Sequence, residues 1–260
     1  MTLRHLATLL LLALLGLAGP GLAYQNPILA PINDPDCIAL DGLFHLIEPE
    51  GGKQAAHFTY RSSRDLVHWS DPVAILPQPP GTALWQGSYY RDTDGSLYLY
   101  YAAVEAGQIK SVRIARAASV TGPFTALGTL VTGAIDPYPL RDPSGRLWLY
   151  YKNDLPGQKG IWVQRMDGPA TPAPVPATEV LHPAPGGFED NGYRSVEGPT
   201  VILRAGRYFL LYSGGPFSKA SYAVGYAVAD RPDGPFVRAA NNPILSNSTA
   251  PGVYSPGVPS

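Results

Sequence analysis

Apolar and aromatic residues along this chain come in short runs, each opened by a turn that contains glycine. One such unit recurs four times. It reads Asp41-Gly42-Leu43-Phe44-His45-Leu46, Asp94-Gly95-Ser96-Leu97-Tyr98-Leu99-Tyr100-Tyr101, Ser144-Gly145-Arg146-Leu147-Trp148-Leu149-Tyr150-Tyr151 and Ala205-Gly206-Arg207-Tyr208-Phe209-Leu210-Leu211-Tyr212. Aromatic and aliphatic runs bounded by such turns predict strands, and Asp-Gly or Ser-Gly before them predicts hairpins. The four glycines stand 53, 50 and 61 residues apart. A second phrase follows three of the units and closes on Trp69, Phe124 or Phe236. These aromatics are expected to fill the gaps between neighbouring sheets. A period of about 50 residues holding several short strands is the mark of propeller blades. A β-sandwich gives many strands but no such period. Gly168 to Thr178, rich in Pro, Ala and Thr, interrupts the pattern and reads as a surface loop.

The composition agrees with an all-β chain. Of 260 residues, 45% are hydrophobic and only 15% charged, with 28 Gly, 28 Pro and 16 Tyr, which favours turns and strands over helices. Length and core-forming content fit one domain. The net charge of −1, with no basic block, gives a nucleic-acid partner no electrostatic footprint. Residues 1–23 differ from the rest: Arg4 and His5 precede an apolar run from Leu6 to Leu17, with small residues before Tyr24. That order reads as a secretory signal peptide cleaved after Ala23, since a membrane span takes about 20 apolar residues. The expectation is a secreted protein with one domain over 24–260 and no membrane attachment after cleavage. Cys37 is the only cysteine, so no internal disulfide is available.

The chemistry-bearing residues stand just before the hairpins. Asp34 precedes the first, Trp85 the second, Asp136 the third and Glu197 the fourth, at separations of 51, 51 and 61 residues. Marks that share the blade period converge on one axis. Three acids crowded together are poor for stability, because like charges disfavour ionisation. They suit glycoside hydrolysis, which uses one carboxylate as base and one protonated carboxyl as acid. A single Asp-Pro is ordinarily a turn; three acids in register with a repeat point to catalysis. Trp85, Phe188 and Tyr193 are candidates for stacking on sugar faces. The five histidines have no metal-ligand spacing, and no Ser-His-Asp or phosphate-binding motif is present.

From about Asn26 to the C-terminus, the chain resembles glycoside hydrolase family 43, the arabinofuranosidase, arabinanase and β-xylosidase family. Asn26-Pro27 with Asp34-Pro35-Asp36, Ile135-Asp136-Pro137 with Asp142-Pro143-Ser144-Gly145, and Val196-Glu197-Gly198-Pro199 carry the likeness. The resemblance implies a five-bladed propeller, whose fifth blade would lack about 45 residues here. It implies an inverting hydrolase acting on arabinose- or xylose-containing plant polysaccharides or oligosaccharides. Asp34 would be the general base, Glu197 the general acid, and Asp136 would raise the pKa of Glu197 and orient it. Asp36 is a rival for Asp34, Asp142 reads as a surface turn residue, and Glu189 and Asp190 are candidates to line the cleft. No cofactor is required. The family's Gly-Pro-Gly-His stretch, which helps hold a central ion, corresponds to Ser255-Pro256-Gly257-Val258 without the histidine, which leaves a central calcium doubtful. A fructosidase-like hydrolase and an inactive carbohydrate-binding propeller are the alternatives.

Overall fold

Each recurring glycine turn closes a hairpin. Between β1 (Asp36–Leu40) and β2 (Leu43–Pro49) the turn residues Asp41 and Gly42 have φ of 51° and 77°, and between β14 (Val196–Arg204) and β15 (Arg207–Gly214) Ala205 and Gly206 have 50° and 75°. Two consecutive positive φ values match the twist of the flanking strands, which is why glycine occupies the second place in both. The computed structural model describes residues 29, 32–50, 55–78, 81–247 and 254–259. The signal-peptide segment and Asn26-Pro27 lie outside the described residues. No helix among the described residues is long and apolar enough to cross a membrane.

The described strands form four antiparallel sheets, taken in order along the chain. The first contains β1, β2, β3 (His57–Ser63) and β4 (Val73–Pro77). The second contains β5 (Thr82–Arg91), β6 (Leu97–Glu105), β7 (Ser111–Ala117) and β8 (Thr125–Thr132). The third contains β9 (Ala134–Arg141), β10 (Leu147–Asn153) and β11 (Ile161–Gly168), with β12 (Thr171–Pro172) and β13 (Thr178–Leu181) both pairing with β11. The fourth contains β14, β15, β16 (Ala223–Ala229) and β17 (Val237–Arg238). First strands of successive sheets touch one another, β1 with β5, β5 with β9 and β9 with β14. The described residues thus form a propeller-like all-β fold with four blades. The segment expected as a plain surface loop contributes the short edge strand β12.

Three apolar layers separate the blades, and strand alternation supplies both faces of each. Leu99 and Tyr101 on β6 join Ile47, Phe58 and Ile75 of the first blade, while Tyr98 and Tyr100 join Leu147, Leu149 and Tyr151 of the third. Tyr150 turns the other way, toward Val201, Leu210 and Tyr212 of the fourth. A sheet buried on both sides must read as a nearly unbroken apolar run, as these strands do. Complete burial of a side chain such as Leu99 or Phe58 contributes roughly 1.5–3 kcal/mol. Polar ties cross the same seams. The Tyr100 hydroxyl donates to the Pro169 carbonyl (2.8 Å), and that of Tyr150 donates to the Pro232 carbonyl (2.6 Å). Phe124 and Phe236 are buried in these layers, and the Phe124 amide donates to Ile75 O of the previous blade at 3.0 Å. Both fill inter-sheet gaps as expected; Trp69 is half-buried and donates to Leu66 O.

Candidate active site

The first strand of blades two, three and four carries the same irregularity. Residues 85–86 oppose one residue of β6, 136–137 one residue of β10, and 198–199 one residue of β15. Such bulges, two residues against one, bend the strand and re-aim side chains. Trp85 and Asp136 are each the first residue of their bulge; Glu197 is the residue just before its own. Asp136 (φ 55°) and Gly198 (φ 59°) both sit in the left-handed region. Glycine adopts that conformation freely, whereas aspartate there carries a backbone cost of order 1 kcal/mol.

The bulges bring Asp136 and Glu197 together. Asp136 is buried, and its Oδ2 accepts the Gly198 amide at 3.0 Å. Burial, then the charge of Glu197, push its carboxyl up to about 7; Lys152 opposes this and Asp34 adds to it. Asp34 is exposed at the start of the first blade with φ of 39°. Its electrostatic influence on Asp136 places it in the same acidic group. Glu197 is held at both oxygens: Lys152 Nζ donates to Oε2 and the Tyr222 hydroxyl to Oε1, each at 2.6 Å. Lys152 and Tyr222 are themselves buried. Burial would lower the Lys152 pKa, but Glu197 and Asp136 outweigh it and raise it, so the ammonium is permanent.

The rival carboxylates are engaged elsewhere. Asp36 is buried and accepts the Tyr89 amide at 2.9 Å, joining blade one to blade two. Desolvation pushes it up to about 6, against that hydrogen bond. Asp142 caps its hairpin turn, accepting from Ser144 N, Ser144 Oγ, Arg146 N and Trp148 Nε1. It is a turn residue as expected but a buried one, because these four donors turn it inward. Glu189 does not line a cleft. It is buried and accepts from Tyr212 OH (2.7 Å), Arg238 and the Ala184 amide. Asp190 is paired with Arg194.

Among the candidate sugar contacts, Trp85 is half-buried with Lys110 Nζ 4.1 Å from its ring centroid, and Tyr193 is 47% exposed with Lys159 Nζ at 5.8 Å. Phe188 has another setting. Its ring stacks on Tyr212 at 6.0 Å and 24° and lies against Gly214 and Gly225, where no Cβ would fit. Packing in blade four therefore occupies that ring. Sequence reasoning missed Lys152, Asp154 and Tyr222. The available signal was scarcity: of five lysines, three (Lys110, Lys152 and Lys159) converge on Asp154. Val258, where the resemblance would place histidine, sets an apolar side chain against Gly198. Among the described residues no group of three or more His, Cys, Asp or Glu could hold a metal ion.

The propeller-like fold thus carries Trp85, Asp136 and Glu197 at or beside the bulges of the first strands of three successive blades. Residues 24–260 match Glycosyl hydrolases family 43, and the chain belongs to that family. It is 25% identical over 264 residues to an extracellular endo-α-(1→5)-L-arabinanase of Bacillus subtilis strain 168, covering 85% of this chain and 53% of that protein. It is 27% identical over 270 residues to an extracellular exo-α-(1→5)-L-arabinofuranosidase of Streptomyces avermitilis, covering 92% and 53%. The crystal structure of a thermostable family-43 glycoside hydrolase superposes with a TM-score of 0.79 at 25% identity, over 91% of this chain and 81% of that one. The chain spans about half the length of the curated relatives it matches.

Proposed function

We propose that this protein is a glycoside hydrolase that cleaves arabinofuranosyl bonds in arabinose-containing plant polysaccharides or oligosaccharides, with xylosides as the second substrate class. The observation that carries the reading is the Asp136–Glu197 pair: a buried acid whose carboxyl is pushed up to about 7 beside a second carboxyl pinned at both oxygens. Crowding of carboxyl groups of this kind opposes stability and serves proton transfer. Glu197 acts as general acid on the leaving oxygen. Asp34 acts as general base on the attacking water, and Asp136 orients Glu197. Attack by water opposite the leaving group inverts the anomeric centre. Trp85 and Tyr193 flank the site as sugar platforms, and no cofactor enters the reaction. Arabinose leads because two relatives are named for α-(1→5)-L-arabinosyl substrates. Secretion follows from the signal-peptide reading of residues 1–23 and from relatives named extracellular. A five-bladed propeller remains the inferred architecture of the family domain, resting on the resemblance.

The test is release of 4-nitrophenol from the α-L-arabinofuranoside and the β-D-xyloside by wild type, Asp34→Ala and Glu197→Ala, with the first-formed anomer read by proton NMR. Hydrolysis by wild type with inverted product, lost in Asp34→Ala and weakened in Glu197→Ala, is expected. A folded wild type that releases neither sugar from these or from arabinan overturns the reading.

A further inference from the structure

Glu197 does not stand alone on its blade. Lys152, at the end of β10, reaches across the seam between blades three and four to Glu197 Oε2 at 2.6 Å. From behind, Lys152 Nζ lies 3.5 Å from Asp154 Oδ1. Asp154 is in turn held by Lys159 (2.8 Å) and by Lys110 of the second blade (2.7 Å). Those hydrogen bonds, with the lysine charges, outweigh burial and lower the Asp154 carboxyl to about 2, so it is ionised throughout the working range. Lys110 also lies over Trp85 and Lys159 over Tyr193. A single chain of alternating charges thus runs from Trp85 and Tyr193 to the acid. The other groups facing Glu197 are Asp136 from β9, Tyr222 ahead of β16, and through Asp136 the charge of Asp34.

A buried lysine beside Glu197 is unfavourable for packing alone, since desolvating an ammonium costs several kcal/mol unless it is paired. Its permanent charge excludes it as a proton donor or acceptor. What it offers is direction. Lysine has only donors, so it grips Oε2 whether Glu197 is ionised or protonated, while the Tyr222 hydroxyl at Oε1 can either donate or accept. We propose that Lys152 is a positioning residue for Glu197, steadied by Asp154, and that it reserves Oε1 as the oxygen that carries the transferred proton. The proposal rests on the reading of Glu197 as general acid. In the step itself the Oε1–H bond breaks and the proton joins the glycosidic oxygen. The sugar C1–O bond breaks with its electron pair kept by that oxygen. Water, giving its proton to Asp34, forms the new C1–O bond, and Glu197 is left as a carboxylate against Lys152.

The test compares Lys152→Met and Lys152→Gln with wild type on α-1,5-arabinobiose, whose leaving alcohol needs protonation, and on 4-nitrophenyl α-L-arabinofuranoside, whose leaving group needs little. Lys152→Met is expected to lose at least ~10-fold more kcat/KM on the disaccharide than on the aryl glycoside, because only the acid's contribution is affected. Lys152→Gln, which still donates a hydrogen bond, is expected to fall between. An equal loss on both substrates, or none, overturns the proposal. A second measurement is independent of turnover: the 13C titration of the Asp136 carboxyl. Lys152 holds that group down, so its midpoint is expected to rise above the wild-type value of about 7 in Lys152→Met. An unchanged midpoint overturns the placement whatever the activity. Should wild type cleave neither substrate, the reading as a hydrolase falls and the titration alone decides the placement of Lys152.

Discussion

Replacing Asp136 by asparagine should make the protein more stable and less active at once. The asparagine carbonyl can still accept the Gly198 amide, and asparagine tolerates the left-handed backbone found at φ 55°. What changes is charge. The folded-state pKa of Asp136 is raised from 3.8 to about 7, by burial first and by Glu197 second. Between those two values the native chain keeps the proton and the unfolded chain has released it. The stability contributed by this group is therefore full below about pH 4, declines as pH rises, and reaches its floor above about pH 7. Asparagine stays neutral throughout. The variant should exceed wild type by something of the order of 4 kcal/mol at pH 8, closing to under ~1 kcal/mol at pH 4. Urea unfolding followed by tryptophan fluorescence at pH 4, 6 and 8 reads the gap directly. Equal stability at pH 8, or a gap that widens toward acid, would refute the reasoning. Turnover at pH 6 should fall at least ~10-fold in the same variant, the signature of a group retained for chemistry at a cost in stability.

Two other changes probe the frame around the site. Gly198→Ala forces a Cβ onto a residue with φ of 59° and toward Val258 Cα at 3.1 Å, so it should destabilise by about 1–2 kcal/mol and lower the melting temperature. A melting temperature equal to that of wild type would show that the bulge relaxes. Glu189→Ala leaves Arg238 and the Tyr212 hydroxyl without their buried acceptor, and should cost about 3 kcal/mol in urea unfolding with little effect on substrate preference. A loss under ~1 kcal/mol would show that water takes over as the acceptor for Arg238 and Tyr212.

The blades were legible because their physics is local. Glycine turns, alternating apolar strands and the tyrosine pairs at 100–101 and 150–151 repeat, and each layer of the core is assembled from neighbouring repeats. Asp136 and Glu197 were legible for the same reason: their spacing follows the period closely enough to suggest a common axis. The period did not show that they stand one residue apart in register, because a bulge is a local count that sequence spacing averages away. Phe188 looked like a platform because aromatic residues near an acid often are one; its contact with Gly214 and Gly225 depends on chain brought from β15 and β16. Lys152 and Tyr222 were invisible for a related reason. Their meaning lies in one carboxylate that they approach from separate parts of the chain, 45 and 25 residues away in sequence.

The bulges also bear on how such a molecule can change over generations. A ladder constrains the residues it pairs, since each must keep its alternation and its hydrogen bonds. The extra residue at a bulge escapes that bargain. In three successive blades that place holds tryptophan, aspartate and glycine, three side chains with nothing in common, and the strands on either side remain paired. Where the backbone there accepts a side chain, a substitution changes what the strand presents while the ladder on either side stays paired. Repetition thus gives this scaffold several sites at which new specificity can be tried, one blade at a time, while the paired strands continue to hold the molecule together.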